Sequence, residues 1–596
     1  MQHKAIILPL LLALAGCDRD VATTLGSSEP IQVGVCGAPA NLISEVQGAT
    51  LKSPQVGNLA TVEGVVVADM IDGLGGVFLQ EEQADRDGDP MTSEGLFVQI
   101  DGARPKVERG DVVRVHGRVS EMGEGEETLT ALAELSEFRV CGHVDELPQA
   151  TLIEEPPLVA DDWEAFEGMR IAVEPILTVL GNYGLIDRGE LLVGLTGRQW
   201  QPTERFPPGA QSRALTEDNA RARLLLDDGS IALGAPERVS YLSLQPSIDA
   251  PYRTGTQLSG VSGVLDQRGG SYRLHPGERV QAVQAPRPES APEVGGALRI
   301  ATFNLENYFN GDGKGGGFPT ERGASDAEEL NRQRAKILSA LKAMDADIYA
   351  LVEVENDGYE KRSAIEELAF RLNQSRGRRN EYDYVRAPGP KLGGDAISVG
   401  LLYRSKRLKL AGPAATLELP PFDRMNRVPL AQTFDDAKTQ ARFTLVVNHW
   451  KSKGGCQEAD PGNQDRGDGQ GCWNAVRVDA ARALNEWLQT DPTASGDADV
   501  LILGDLNDVP GSPPLKAIAG KAPSLYVDAA DAAPADQRYS FVYQGTKELI
   551  DHQMQSPLLA KMLDPASVLI KHGPGVDDSS AAASDHAPIR ATYLVR

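Results

Sequence analysis

Val500-Leu501-Ile502-Leu503-Gly504-Asp505-Leu506-Asn507-Asp508-Val509-Pro510 decides the fold of the C-terminal half. Four aliphatic residues in a row, Val500 to Leu503, predict a strand buried on both faces. That strand ends at Gly504 and delivers Asp505 and Asn507 to the mouth of a sheet. Residues two apart on an extended chain share a face, so a carboxylate and a carboxamide are expected to address one site. Strand ends suit this work, because a rigid sheet aims short polar side chains.

Five further polar clusters stand around it, each where a strand or loop ends. Thr302-Phe303-Asn304-Leu305-Glu306-Asn307 closes a strand over residues 298–303, and Leu351-Val352-Glu353-Val354-Glu355-Asn356 closes one over 347–354. Val447-Asn448-His449-Trp450-Lys451-Ser452-Lys453 precedes the central stretch. Leu549-Ile550-Asp551-His552 and Ser584-Asp585-His586-Ala587-Pro588-Ile589 follow it. Between them, residues 328–344 carry Ile337, Leu341 and Met344 on one helical stripe. Helices are also expected over 365–372 and 474–488, and strands over 396–403, 443–447 and 590–595.

Six clusters in this order resemble the endonuclease/exonuclease/phosphatase superfamily, the group of DNase I, the abasic-site endonucleases and the neutral sphingomyelinases. The resemblance implies an α+β chain whose residues 297–596 form a DNase I-like four-layer α/β sandwich. It also implies roles. Glu353 would ligate a divalent metal, Mg²⁺ or Mn²⁺, which hard oxygen ligands favour. Asn304 would hold a ligand or the phosphate from the opposite side, and Asp585 would add a carboxylate at the metal. Asp505 would orient or deprotonate the attacking water, with Asn507 fixing that geometry. His586 would bind the scissile phosphate, Asp551 would orient its ring, and His449 is a second acid–base candidate. Glu355 shares Glu353's expected face and stays open as the ligand, since Val352 replaces the family's usual Gln before that Glu. His552 reads as packing and His572 as a surface residue. Arg332, Arg334, Lys451 and Lys453, with Arg376, Arg378 and Arg379, are the candidate phosphate contacts.

The chain has 596 residues, 41% of them hydrophobic, and a net charge of −26. Such acidity argues against a polyanionic partner, but it is unevenly spread. Residues 1–296 carry 23 Lys and Arg against 44 Asp and Glu, whereas 297–596 carry 36 against 41. Bound divalent cations would add positive charge where the candidate site lies. Residues 1–17 read as a targeting segment: Lys4, an apolar stretch from Ala5 to Ala15, then Leu14-Ala15-Gly16-Cys17. The last four resemble the bacterial lipobox, which implies cleavage before Cys17 and its lipidation. The four remaining cysteines suggest two disulfides in an oxidising compartment. Cys36 and Cys141 bracket one module and Cys456 and Cys472 one loop, so Cys36–Cys141 and Cys456–Cys472 are the expected pairs.

Residues 18–149 show five short strands separated by Gly-rich turns, which suits an OB-like barrel. On one of them Arg114, His116 and Arg118 alternate with valines, predicting an exposed, locally basic face. Asp85-Arg86-Asp87-Gly88-Asp89 has alternating carboxylates compatible with Ca²⁺. Pro90 stands where an EF-hand needs Gly, so the stretch reads as a solvated turn. Residues 150–284 read as a second β-rich module, with single strands over 170–180 and 257–265. Residues 285–296 are a Pro-rich linker. The order of OB-like module, Gly263-Val264-Leu265-Asp266-Gln267-Arg268-Gly269-Gly270-Ser271-Tyr272-Arg273-Leu274, then a nuclease-like half resembles bacterial extracellular nucleases of the ExeM/NucH type.

These readings imply a metal-dependent phosphodiesterase, a DNA endonuclease carried as a cell-envelope lipoprotein, periplasmic or surface-exposed, or released. The alternatives are a sphingomyelinase-like phosphoesterase on lipid headgroups or small phosphorylated substrates, and a non-catalytic OB-type binding protein. The acidic first half is expected to act as a spacer, leaving residues 297–596 active alone to within about tenfold, a barrier change under about 1.4 kcal/mol.

Overall fold

A computed structural model describes residues 35–595, apart from 103, 124, 126–127, 231–237, 248–251, 286–296, 378–380, 522–524 and 573–582. Cys17, the targeting segment and most of the Pro-rich linker therefore lie outside the described residues. The N-terminal part is a closed five-stranded barrel. Its strands are Leu59–Met70, Gly76–Gln80, Gly95–Gln99, Asp111–Met122 and Leu129–His143. In spatial order the fifth lies between the third and the fourth, and the fourth closes onto the first. Val62, Val66, Leu79, Val98, Val113, Val115 and Leu132 fill the interior. A disulfide joins Cys36 to Cys141 as expected.

Arg114 departs from the expected exposed face. It is fully buried, its guanidinium donating to the carbonyls of Ala38 and Pro39 and to Glu63. The segment stapled by the disulfide covers that strand, a contact period-two patterning cannot see. Arg118 does stay at the surface, paired with Glu134.

Residues 150–284 contribute a nine-stranded sheet centred on Arg223–Leu226, with Leu191–Gly194 on one side and Ser271–Pro276 on the other. The single strand expected over 170–180 is two, Arg170–Val173 and Leu177–Gly181. Pro175 separates them, lacking the N–H a ladder needs. The one expected over 257–265 is likewise split, at Gly260 with φ +68°. A helix, Ala210–Arg221, was not expected in this module. Barrel and sheet share a cluster in which Val264 packs with Phe78 and Phe97.

Residues 297–595 form two six-stranded sheets face to face. The first runs Tyr382–Tyr384, Ile397–Arg404, Ile348–Glu355, Leu298–Tyr308, Ile589–Tyr593, Leu569–Ile570. The second runs Leu408–Thr416, Leu430–Asp436, Arg442–His449, Val500–Asp505, Asp551–Gln555, Val527–Asp528. Ile300, Leu401, Leu445, Leu503 and Ile589 meet in the core between them. Helices Ala327–Met344 and Ala364–Ser375 cover the outer face of the first sheet, burying Ile337, Leu341 and Leu368. Helix Asn474–Leu488 covers the second with Ala480, Ala481 and Leu484. Truncating a core leucine such as Leu503 to Ala costs about 2–5 kcal/mol.

The two halves are joined by hydrogen bonds. Gln199–Trp200 adds in parallel to Thr546–Glu548, which forms a hairpin with Phe541–Tyr543. Trp200 lies under the Arg205 guanidinium (4.1 Å) and the Lys547 ammonium (5.4 Å). Glu204 Oε1 accepts from the Leu549 N–H at 2.6 Å. Gln201 and Thr203 both donate to the carbonyl of Gly469, inside the loop closed by the Cys456–Cys472 disulfide.

Candidate active site

The site is built where the central strands of both sheets end. Leu298–Tyr308 and Ile348–Glu355 run parallel in one sheet, Arg442–His449 and Val500–Asp505 in the other, so four C-terminal strand ends converge. In the second sheet His449 is the register partner of Asp505, and Asp505 of Asp551. Three functional side chains thus stand on adjacent strands. Gly504 permits the approach: its φ is +123°, and a Cβ there would lie 2.1 Å from the Asn448 carbonyl oxygen.

Backbone irregularity then aims the side chains. Glu306, Asn307, Glu353 and Asn507 all hold left-handed backbone, with φ of 55°, 53°, 60° and 51°. Such positions cost energy for non-glycine residues and persist where the surroundings over-determine them. At Glu353 the register shifts between Leu351 and Val354, so the strand bulges there. The bulge separates the two glutamates left open by the sequence. Glu353 turns to the site, accepting from Asn304 Nδ2 at 3.3 Å and the Asn307 N–H at 2.9 Å. Glu355 instead accepts from the Asn310 N–H at 2.8 Å.

Asn304 bridges the sheets, its amide nitrogen also 3.2 Å from Asp505 Oδ2. Asp505 Oδ1 accepts from the Asn507 N–H at 2.9 Å, while the Asn507 side chain donates to the Trp450 carbonyl. His586 Nδ1 lies 2.7 Å from Asp551 Oδ2. Its Nε2 faces Asp505 Oδ2 and Asp585 Oδ1, each 3.9 Å away and beyond hydrogen-bond length. Phe541 leans on the imidazole with ring centroids 4.8 Å apart.

Charge is crowded here. Burial works against protonated His586, but the Asp551 and Asp585 carboxylates outweigh it and hold the ring protonated well above the usual range. Burial pushes Asp505 up to about 7; His586 opposes this, and Asp551 and Glu353 reinforce it. Burial, then the charge of Asp585, pushes Glu306 up to about 7. His449 is held well below the imidazole range by burial and by Arg427, whose Nη1 lies 3.4 Å from its Nε2.

This carboxylate-rich set fits a hard divalent cation. Asp551 Oδ1 is buried without a hydrogen-bond partner. Asp505, Asp551 and His586 offer ligand atoms within 4.8 Å of one another. The imidazole nitrogen nearest Asp551 is already engaged, so oxygen donors predominate, unlike the Cys/His set of a zinc site.

Other expected residues lie elsewhere or are occupied. Arg334, expected at the phosphate, donates from Nε to the Tyr308 hydroxyl and pairs with Glu367 at 3.1 Å, a half-buried packing role. Lys453 is taken up by Glu548, and Lys451 donates to the Ser452 and Gly454 carbonyls. Arg376 pairs with Asp345 and Glu381. Arg332 remains largely exposed, beside Glu328, and Arg378 and Arg379 lie outside the described residues. His552 is structural as expected, held between Asp528 and the Asp508 carbonyl. His572 corrects the surface reading: it is buried, bonded to the Tyr539 carbonyl and stacked on that ring at 3.9 Å. Two residues were missed. Glu306, whose Oε2 accepts from the Asp585 N–H, stands two places after Asn304 within the quoted cluster. Arg427 lies in a loop without any motif.

Residues 301–586 match the endonuclease/exonuclease/phosphatase family model. The C-terminal half is an endonuclease/exonuclease/phosphatase domain. Among solved structures the chain is similar to the human Nocturnin catalytic domain, at 18% identity and a TM-score of 0.33, covering 50% of this chain and 93% of that one. It is similar also to an endonuclease/exonuclease/phosphatase protein from Bacteroides vulgatus, at 17% identity and a TM-score of 0.34, covering 50% and 99%. A third is a mannosyl-6-phosphatase from Bacteroides thetaiotaomicron, at 16% identity and a TM-score of 0.32, covering 49% and 98%. No curated protein matches the chain. Family members are hydrolases of phosphodiesters or phosphate esters. Among the described residues no helix is long and apolar enough to cross a membrane.

Proposed function

We propose that the chain is a divalent-metal-dependent nuclease of the cell envelope that cuts DNA endonucleolytically. The observation that carries this reading is the Asp551–His586 pair, facing Asn304, Glu353 and Asp505 across the gap between two sheets. Phosphodiester hydrolysis builds negative charge on the phosphoryl oxygens, so a catalyst must supply fixed positive charge and hydrogen-bond donors there. Mg²⁺ or Mn²⁺, held by Glu353 with Asp585 and Asn304, would neutralise part of that charge. Protonated His586 donates from Nε2 to a phosphoryl oxygen, and Asp551 keeps the ring charged and oriented. Asp505, with its carboxyl raised to about 7, takes the proton of the attacking water near neutral pH. The Asn507 N–H holds Asp505 in place. Neutral His449 lies beside Asp505 and Glu353 as a second proton acceptor.

The remaining expectations belong to the same proposal. The closed barrel with its fifth strand between the third and fourth supports an OB-like assignment for residues 18–149. Its order before a β-rich module and the hydrolase domain supports a protein of the ExeM/NucH type, with boundaries near 149, 284 and 297. Anchoring at Cys17 would hold the protein to a membrane by lipid alone. The test is hydrolysis of plasmid DNA and of sphingomyelin, each with and without EDTA. Nicking of plasmid that EDTA abolishes is expected. Hydrolysis of sphingomyelin with intact plasmid would overturn the nuclease reading.

A further inference from the structure

The barrel ladder between Gly76–Gln80 and Gly95–Gln99 extends one pair beyond Gln80 and Gly95, because the Glu81 N–H donates to the Glu94 carbonyl at 2.9 Å. Glu81 and Glu94 are therefore cross-strand neighbours. Both are only 2% exposed. Like charges directly opposite destabilise a ladder, and burying them raises the cost.

Their hydrogen bonds satisfy half of each carboxylate. Glu81 Oε1 accepts from the Ile43 N–H at 3.2 Å, and Glu94 Oε1 from the Asp87 N–H at 3.1 Å. Arg86 Nε stands 3.8 Å from that same Glu94 oxygen. Glu81 Oε2 and Glu94 Oε2 are both buried with no hydrogen-bond partner. The loop between the two strands folds back over them. It brings the Asp87 carboxylate within reach of the Glu94 carboxyl, with the charges of Asp85 and Glu82 close to Glu81. Asp87 is itself held by the Asp89 N–H at 2.7 Å and the Thr92 hydroxyl at 2.9 Å.

We propose that Glu81, Glu94 and Asp87 form a Ca²⁺ site at the end of the barrel, remote in sequence from the hydrolytic residues. The solvated-turn reading of Asp85–Asp89 took the loop alone. EF-hand spacing is not required once two ladder residues supply ligands from below. The donors are anionic oxygens with no sulfur or imidazole, which selects a hard cation. They come from a turn and two strand ends, an irregular set that Ca²⁺ accepts and the near-octahedral demand of Mg²⁺ does not. The ion would pin the Ile43–Gln47 helix through Glu81, fixing the chain where it enters the barrel. Without it, burial drives Glu81 up to about 8 and raises Glu94, so the rival arrangement is a proton shared by the two carboxyls.

The experiment is equilibrium dialysis of the full chain against Ca²⁺ with millimolar Mg²⁺ present to occupy the hydrolytic site. It compares the native protein with E81Q/E94Q and D87N and records thermal midpoints alongside. Expected is one Ca²⁺ more per chain in the native protein than in E81Q/E94Q, an affinity at least tenfold weaker in D87N, and a Ca²⁺-dependent rise in midpoint that E81Q/E94Q lacks. Because glutamine keeps the shape and removes the repulsion, E81Q/E94Q should fold even without Ca²⁺. Equal Ca²⁺ stoichiometry in native and E81Q/E94Q protein would overturn the site. So would a native midpoint that falls as pH rises towards 8 and ignores Ca²⁺, the signature of a shared proton.

Discussion

Glu204, in the β-rich half, accepts a hydrogen bond from the backbone N–H of Leu549, two residues before Asp551. With the strand Gln199–Trp200 on the neighbouring hairpin, this turns the first half from a spacer into a support for the Asp551 end of the dyad. Residues 297–596 alone should therefore lose more than tenfold in turnover while KM changes little. Glu204→Ala, which strands a backbone donor, should cost about 1–3 kcal/mol of stability and part of the turnover. A 297–596 fragment as active as the full chain would refute this coupling.

Glu204 also predicts a pH effect. Burial raises its carboxyl to about 7, above the ordinary 4.5. The folded state thus holds a proton that the unfolded state releases, and stability falls as pH rises from about 4.5 to 7. Glu204→Gln keeps the acceptor but cannot titrate, so its thermal midpoint should decline less over that window. Parallel curves for the native protein and the Glu204→Gln variant would contradict the assignment.

For the dyad, His586→Ala should lower kcat by about 10²–10⁴-fold, the usual scale of acid–base catalysis. Asp551→Asn should cost less, and the double variant little more than His586→Ala, because residues acting as a unit are non-additive. Circular dichroism checks the fold in each case. Independent, multiplicative losses would show that the 2.7 Å contact does not couple them.

Metal removal should abolish hydrolysis, and Mg²⁺ or Mn²⁺ should restore it. Glu353→Gln should block restoration, whereas Glu355→Gln, bonded only to the Asn310 N–H, should retain turnover within a few fold. Isothermal titration with Mg²⁺ separates lost binding from lost chemistry. Full activity in EDTA would end the metal-dependent reading.

The loop closed by Cys456 and Cys472 separates the cysteines by 16 residues, and closing about 15 residues contributes about 3 kcal/mol in the chain-entropy model. Cys456→Ser/Cys472→Ser should lower the thermal midpoint and weaken cleavage of long DNA more than of short oligonucleotides, by freeing the loop that holds Lys453. Equal loss on both substrates would make the disulfide a staple only.

Much of the site was legible because aliphatic runs such as Val500 to Leu503 mark buried strands, and polar residues just beyond them mark the sheet's open end. Asn304, Asp505, Asp551 and His586 meet for that reason. Period-two reasoning could not choose between Glu353 and Glu355, because a left-handed residue in a bulge breaks the alternation. Nor could it see partners distant in the chain. Arg334, Lys453 and Arg114 look free in sequence and are engaged by Glu367, Glu548 and Glu63. His572 was misread for the same reason, its cover being the ring of Tyr539. The docking of residues 199–204 on 546–549 left no periodic trace, since two-residue pairing is too short to print one.

That docking sets an order of events during synthesis. Glu204 emerges 345 residues before Leu549, so a chain made from its N-terminus leaves the edge at Gln199–Trp200 open until nearly all of it has appeared. Contacts of such separation form late and slowly. The Leu549–Asp551 turn gains its support only when this last seam closes, so a nascent or truncated chain would stay catalytically silent.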